Sequence, residues 1–211
     1  MFGRITRRKA DPVLALPPDY REVHYMSINE RGVLLWLNVM SLVPLTISGL
    51  LVFGALLVYN DQLGSPLVIN ALPDTIPALA GLALVLLVLP LHEWLHGLII
   101  TQCGHRPRYG VKLFVLFATS DGALFRRNEF IRVALAPLVV ITTVGCLLML
   151  FLPFGLAYWA GMAVVLNAGG AIGDMWMAAI ALRYDPSILI RDEEDSMRIF
   201  AHASSPVSGN V

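Results

Sequence analysis

Charge is scarce in this chain. Lys, Arg, Asp and Glu make up 14% of its 211 residues, where about 25% is usual in a soluble domain. An ordinary soluble enzyme and a disordered chain are both excluded, because neither is so poor in charge and so rich in apolar residues. Nor is one sign of charge in excess. Fifteen basic and fifteen acidic residues cancel, and no basic helix with interleaved aromatics is present, so no nucleic-acid partner is expected. Cysteine is nearly missing. Cys103 and Cys146 lie in or beside apolar runs without metal-ligand spacing, which excludes a disulfide scaffold and a thiolate metal site. The first thirty residues hold prolines, acids and basic residues but no apolar run, so no cleavable signal peptide is expected.

What the chain has in plenty is apolar surface. Its hydrophobic content is 57% and its mean hydropathy +0.71, more than a domain of this length can hide from water. Four stretches are long enough to cross a bilayer, which needs about 20 helical residues: residues 33–59, 77–102, 130–152 and 156–182. The expected fold is all-α, a bundle of four transmembrane helices.

Charge placement sets the orientation. Arg4, Arg7, Arg8, Lys9, Arg21 and Arg31 precede the first span. Arg106, Arg108, Lys112, Arg126, Arg127 and Arg132 lie between or beside the second and third, and Arg183, Arg191 and Arg198 follow the fourth. Residues 60–76 and 153–155 hold no basic residue. By the positive-inside rule both termini are cytoplasmic, in a multi-pass protein of the plasma (inner) membrane. The chain then divides into a cytoplasmic tail over 1–32, a membrane domain over 33–182 and a second cytoplasmic tail over 183–211. Between the second and third spans, Tyr109 to Phe117 alternates in the manner of a strand, and Thr119-Ser120-Asp121-Gly122 signals a turn. This segment reads as a short cytoplasmic β-hairpin or as an irregular amphipathic loop at the interface. Asp192-Glu193-Glu194-Asp195 reads as a solvated acidic face. Pro137 reads as a kink in the third span or a proline without a role.

The chemistry sits in the second span, which carries His92-Glu93-Trp94-Leu95-His96. This is H-E-x-x-H. Histidines four apart on a helix share a face and can reach one metal ion, and Glu93 lies where it can take a proton from an activated water. An ionisable group at the centre of a membrane helix costs on the order of 2.5–3.5 kcal/mol on insertion scales, so three in five residues demand compensation. A zinc site supplies it; a structural polar knot satisfied by neighbouring helices and a non-zinc site, such as haem or a transported ion, are the alternatives. Zinc needs a third protein ligand. Asp174 is the ionisable residue inside the fourth span. Counted from the cytoplasmic boundary at 1.5 Å per residue, His92, His96 and Asp174 lie about 15, 9 and 13 Å deep. They share a layer. Gly169, Gly170 and Gly173 before Asp174 permit close helix approach; the competing readings are a mere packing face, with Asp174 paired to an arginine, or His105 folding back as third ligand.

The sequences LHEWLHGL, RRNEFIRVALAPL and NAGGAIGD, in that order, resemble the zincin peptidase family of small prokaryotic membrane proteins, which is similar to the site-2 protease class of intramembrane zinc metalloproteases. The resemblance implies His92, His96 and Asp174 as zinc ligands and Glu93 as the catalytic base. It implies Asn167 as a polar contact for substrate or transition state. Where that class commonly places its aspartate in an Asn-Pro-x-x-Asp or Leu-Asp-Gly setting, this chain has Gly-Asp-Met, so substrate specificity does not carry over. The expected activity is zinc-dependent hydrolysis of peptide bonds in membrane-embedded protein substrates. The alternative is a non-catalytic membrane subunit or scaffold of a larger complex that keeps the metal site. The expected surroundings are the lipid bilayer and a membrane-embedded substrate or partner subunit.

Overall fold

The computed structural model describes residues 11–28, 30–63, 75–112, 115–152, 154–193 and 196–204. Within them the chain runs β1 (Tyr20–Ser27), α1 (Arg31–Leu63), α2 (Thr75–Gln102), β2 (Arg108–Lys112), β3 (Val115–Thr119), β4 (Phe125–Arg126), α3 (Arg127–Phe151), α4 (Phe154–Gly170), α5 (Ile172–Leu182), β5 (Leu189–Glu193) and β6 (Ser196–His202).

Three helices, α1, α2 and α3, are long and apolar enough to cross a membrane, and the pair α4–α5 passes the same test as a bent fourth span. Their outer faces carry Leu35, Leu50, Leu51, Leu86, Leu87 and Leu150, each at least 60% exposed. Apolar surface on that scale suits lipid rather than water. Little of α1 is buried at all, and it leans chiefly on α4 through Val52 and Leu56 against Ala157, Ala160 and Val164.

The all-α expectation is overturned. Six strands in two antiparallel sheets accompany five helices among the described residues, so the fold is mixed α/β and not a four-helix bundle. The four-stranded sheet has the order β1-β6-β5-β4. Two of its members come from the segment after α5, one from before α1 and one from between α2 and α3. It therefore gathers one end of the helix array. The reason is burial on one sheet face. Ile190, Met197 and Ile199, wholly buried, pack with Met26, Ile100, Phe125, Phe130 and Ala178 in one cluster that joins sheet to helix ends. Charged residues interleaved in these strands, such as Arg191 and Arg198 on facing positions, hide that periodicity from a reader looking for membrane spans.

Two further differences position the site. The segment after α2 does form a hairpin, but its strands are β2 and β3, paired from Arg108↔Thr119 to Lys112↔Val115. The Ser120–Ala123 turn instead leads on to β4, which pairs with β5. The expected fourth span, in turn, is broken. α4 and α5 meet at Ala171 with a 48° bend. Gly169 and Gly170, poor helix formers in succession, end α4 there. The bend puts Asp174 in the first turn of α5, where the exposed N–H groups and helix dipole favour a carboxylate.

Candidate metal centre

His92 and His96 lie one turn apart on α2 with ring centroids 4.8 Å from each other. Asp174 of α5 faces both. Its Oδ2 is 3.1 Å from His92 Nε2 and 3.6 Å from His96 Nε2. One ligand atom from each of the three residues lies within 4.8 Å of the others, so the group could hold a metal ion. All three side chains are at most 15% exposed.

The rings are oriented from behind. His96 Nδ1 lies 2.8 Å from the carbonyl oxygen of Val133 on α3. A carbonyl only accepts, so Nδ1 carries the proton. His92 Nδ1 lies 2.9 Å from Asn167 Oδ1. The amide Nδ2 of Asn167 points to the carbonyl of Pro137 at 3.4 Å, which fixes Oδ1 as the atom toward His92 and makes His92 Nδ1 a donor too. With both rings neutral, as metal ligation requires, the lone pair is on Nε2, facing the Asp174 oxygen. Three electron-pair donors converging without a proton between them repel one another unless a cation lies among them. Two imidazoles and one carboxylate, with second nitrogens already satisfied, are the donor set of a zinc site that keeps a position open.

Glu93 is partly buried beside this cluster, in the electric field of His96, His92 and Asp174, and its carboxylate meets the main-chain N–H of Ala118 on β3. That contact shows which edge of β3 faces the site. Because the Ala118 N–H points at Glu93, it is not spent on Tyr109 across the hairpin, its partner in register. The outer edge of β3 therefore looks onto α2. Gly97, next to His96, makes room for this. A Cβ there would collide with the Tyr109 hydroxyl of β2, so a larger residue would push the hairpin off the helix.

Each sequence-predicted residue has a definite place. His92, Glu93, His96 and Asp174 come together. Asn167, expected at a substrate contact, is 2% exposed and sits behind His92. His105 lies apart from the cluster, edge-on to Phe125 and beside Arg106, Asp121 and Gly122 in a separate 440 Å³ cavity. Burial lowers its pKa, with Glu129 opposing.

Sequence reading missed two contributors. Asp192 of β5, read as part of a solvated face, instead lies against the site. Burial pushes its carboxyl up to about 7, against His96 and with the help of Asp174, Glu93 and Glu193. Its main-chain oxygen accepts from Thr119 Oγ1 at 3.2 Å, one residue along β3 from the amide that serves Glu93. Strand alternation in 196–202 was the available signal. The second is Val133, whose carbonyl no motif would have singled out.

The helices long and apolar enough to cross a membrane thus hold two histidines, an aspartate and an adjacent glutamate together in a cluster that could bind a metal ion. Residues 85–189 match the model of the family described as putative zincin peptidase, a stretch that contains all five residues predicted for the site. No curated protein and no solved structure matches the chain. The match supports zinc as the metal and a metallopeptidase as the class of activity.

Proposed function

We propose that this protein is an intramembrane zinc metalloprotease of the site-2 type, hydrolysing peptide bonds of membrane-embedded protein substrates. The observation that carries the reading is the convergence of His92 Nε2, His96 Nε2 and Asp174 Oδ2 beside Glu93. His92, His96 and Asp174 would hold the ion. Zinc, when bound, supplies Lewis acidity, polarising a carbonyl and making water acidic near neutral pH. Glu93 takes the proton of the attacking water and returns it to the leaving amine. Asn167 keeps His92 in the tautomer that presents Nε2, a positioning role rather than a substrate contact.

A helical peptide bond is closed to attack, so the scissile segment must be extended. The outer edge of β3 is suited to hold it. An added strand there would pair with those outward main-chain groups of β3 that Glu93 does not engage, while lying over Glu93. Such recognition reads backbone shape before side chains.

The direct test is cleavage in proteoliposomes. Single-span peptides with unwound, helix-poor juxtamembrane segments should be cut by the zinc-loaded protein, spared after chelation and cut again when zinc is returned. If the loaded protein leaves every such peptide intact, the reading passes to a non-catalytic membrane subunit. Metal content gives a second check. About one zinc per chain is expected from this ligand set. Asn167→Ala should weaken zinc binding by about 10- to 100-fold, as loss of an outer partner of a metal-bound histidine does, in competition titration against a chelating dye.

Orientation follows the basic residues. Reporter fusions after residues 30, 65, 115 and 205 should read inside, outside, inside and inside. Support comes from the four-stranded sheet, which draws the segments before α1 and after α5 to one end of the helices. An outside reading at 115 would place β2 and β3, with the metal-facing edge, on the other side of the membrane.

A further inference from the structure

Pro137 lies in the middle of α3, wholly buried, and the helix runs through it unbroken from Arg127 to Phe151. A buried proline inside a helix removes one N–H and strands the carbonyl four residues earlier. Here that carbonyl belongs to Val133. In a membrane protein a stranded carbonyl must find another donor, and the donor in this structure is His96 Nδ1, at 2.8 Å. The proline's own carbonyl, one turn on, faces Asn167 Nδ2, and Asn167 Oδ1 faces His92 Nδ1. Both histidines are thus oriented from carbonyls one turn apart on the same helix.

We infer that Pro137 is the positioning residue of the metal centre: by withholding an N–H it reserves the Val133 carbonyl for His96, and its turn fixes the tautomer of both histidines. The inference rests on the metal-site reading for its purpose, but the tautomer is a property of the metal-free protein. A residue with an ordinary N–H at 137 would donate to Val133 along the helix and compete with His96. The imidazole would then lose its Val133 partner on the side away from the cluster, since its other nitrogen faces Asp174. It could rotate, or present the protonated nitrogen to the site.

The expectation for Pro137→Ala is a split between stability and affinity. A proline inside a helix costs it stability, so its removal should leave melting unchanged or raise it. Zinc affinity should nevertheless fall by about 10- to 100-fold, the usual loss when a histidine ligand loses its outer partner. In metal-free wild-type protein with ¹⁵N-labelled imidazoles, above the imidazole titration range, His96 should be protonated at Nδ1; in Pro137→Ala the Nε2-protonated form should appear. Pro44→Ala, at the proline inside α1, should shift neither quantity. Zinc affinity within twofold of wild type, with an unaltered His96 signal, overturns the inference. So does a wild-type His96 protonated at Nε2, a result that needs no variant to fold. If the tautomer responds but the wild type binds no zinc, the positioning role stands and the metalloprotease reading falls.

Discussion

Glu93→Gln should keep the metal and lose the reaction. The amide has the shape of the carboxylate but cannot accept the water proton, and general-base removal typically costs about 10² to 10⁴ in rate. Zinc content should match wild type, because Glu93 is not one of the converging ligand atoms. Cleavage of a membrane-anchored peptide should fall to the detection limit, and in cells the variant should accumulate a full-length membrane protein that wild type processes. A partly buried carboxylate beside two histidines and an aspartate is expensive, and a structural metal site gains nothing from it. Equal rescue of a deletion strain by wild type and by Glu93→Gln would remove the protease reading and leave the scaffold reading in its place.

Asp174→Ala should do the opposite. It removes one of three converging ligands, so zinc affinity should fall beyond the roughly 10- to 100-fold typical of an outer-shell partner. Activity should go with the metal, and partial recovery is expected at high zinc concentration. Asp174→Glu separates the ligand from its geometry: the same carboxyl on a longer stem, in the first turn of α5, should bind zinc more weakly than wild type and better than alanine. Wild-type zinc affinity in Asp174→Ala would show that another group completes the site. Together the two residues distinguish holding the ion from using it. Loss of turnover with metal retained marks Glu93, and loss of both marks Asp174.

How the site could be read in advance is a matter of range. His92, Glu93 and His96 are within five residues of one another, and the helix period alone places the two histidines on one face. Asp174 lies 82 positions from His92, yet it sat within reach of sequence argument because a membrane orders residues by depth. Counting from the charged boundaries set it in the same layer as the histidines. The depth count said nothing of rotation around α5 or of the 48° break before it. Those decide that Oδ2, rather than the backbone of a packing face, meets both rings.

The two sheets illustrate the opposite case. β1, β5 and β6 belong to segments read as tails, because arginines and acids are frequent in them and each strand is short. A strand of five to eight residues has no stability of its own. It forms here because Met26, Ile190, Met197 and Ile199 find Ile100, Phe125 and Phe130 at the helix ends, a surface that exists only once the helices have assembled. Asp192 was misjudged for the same reason, since its setting depends on β5 lying against the end of β3.

By itself, then, the sequence determined the properties that follow from solvent and from short periods: apolar helices long enough for a bilayer, one end marked by basic residues, and the H-E-x-x-H pair on a single face. Tertiary structure alone decided which backbone atoms stand behind that pair. Hydrogen bonds to Val133 and Asn167 choose between imidazole tautomers, and a carbonyl becomes free for this purpose only where a proline elsewhere in the chain withholds its N–H and the helices pack close enough for a histidine to take it.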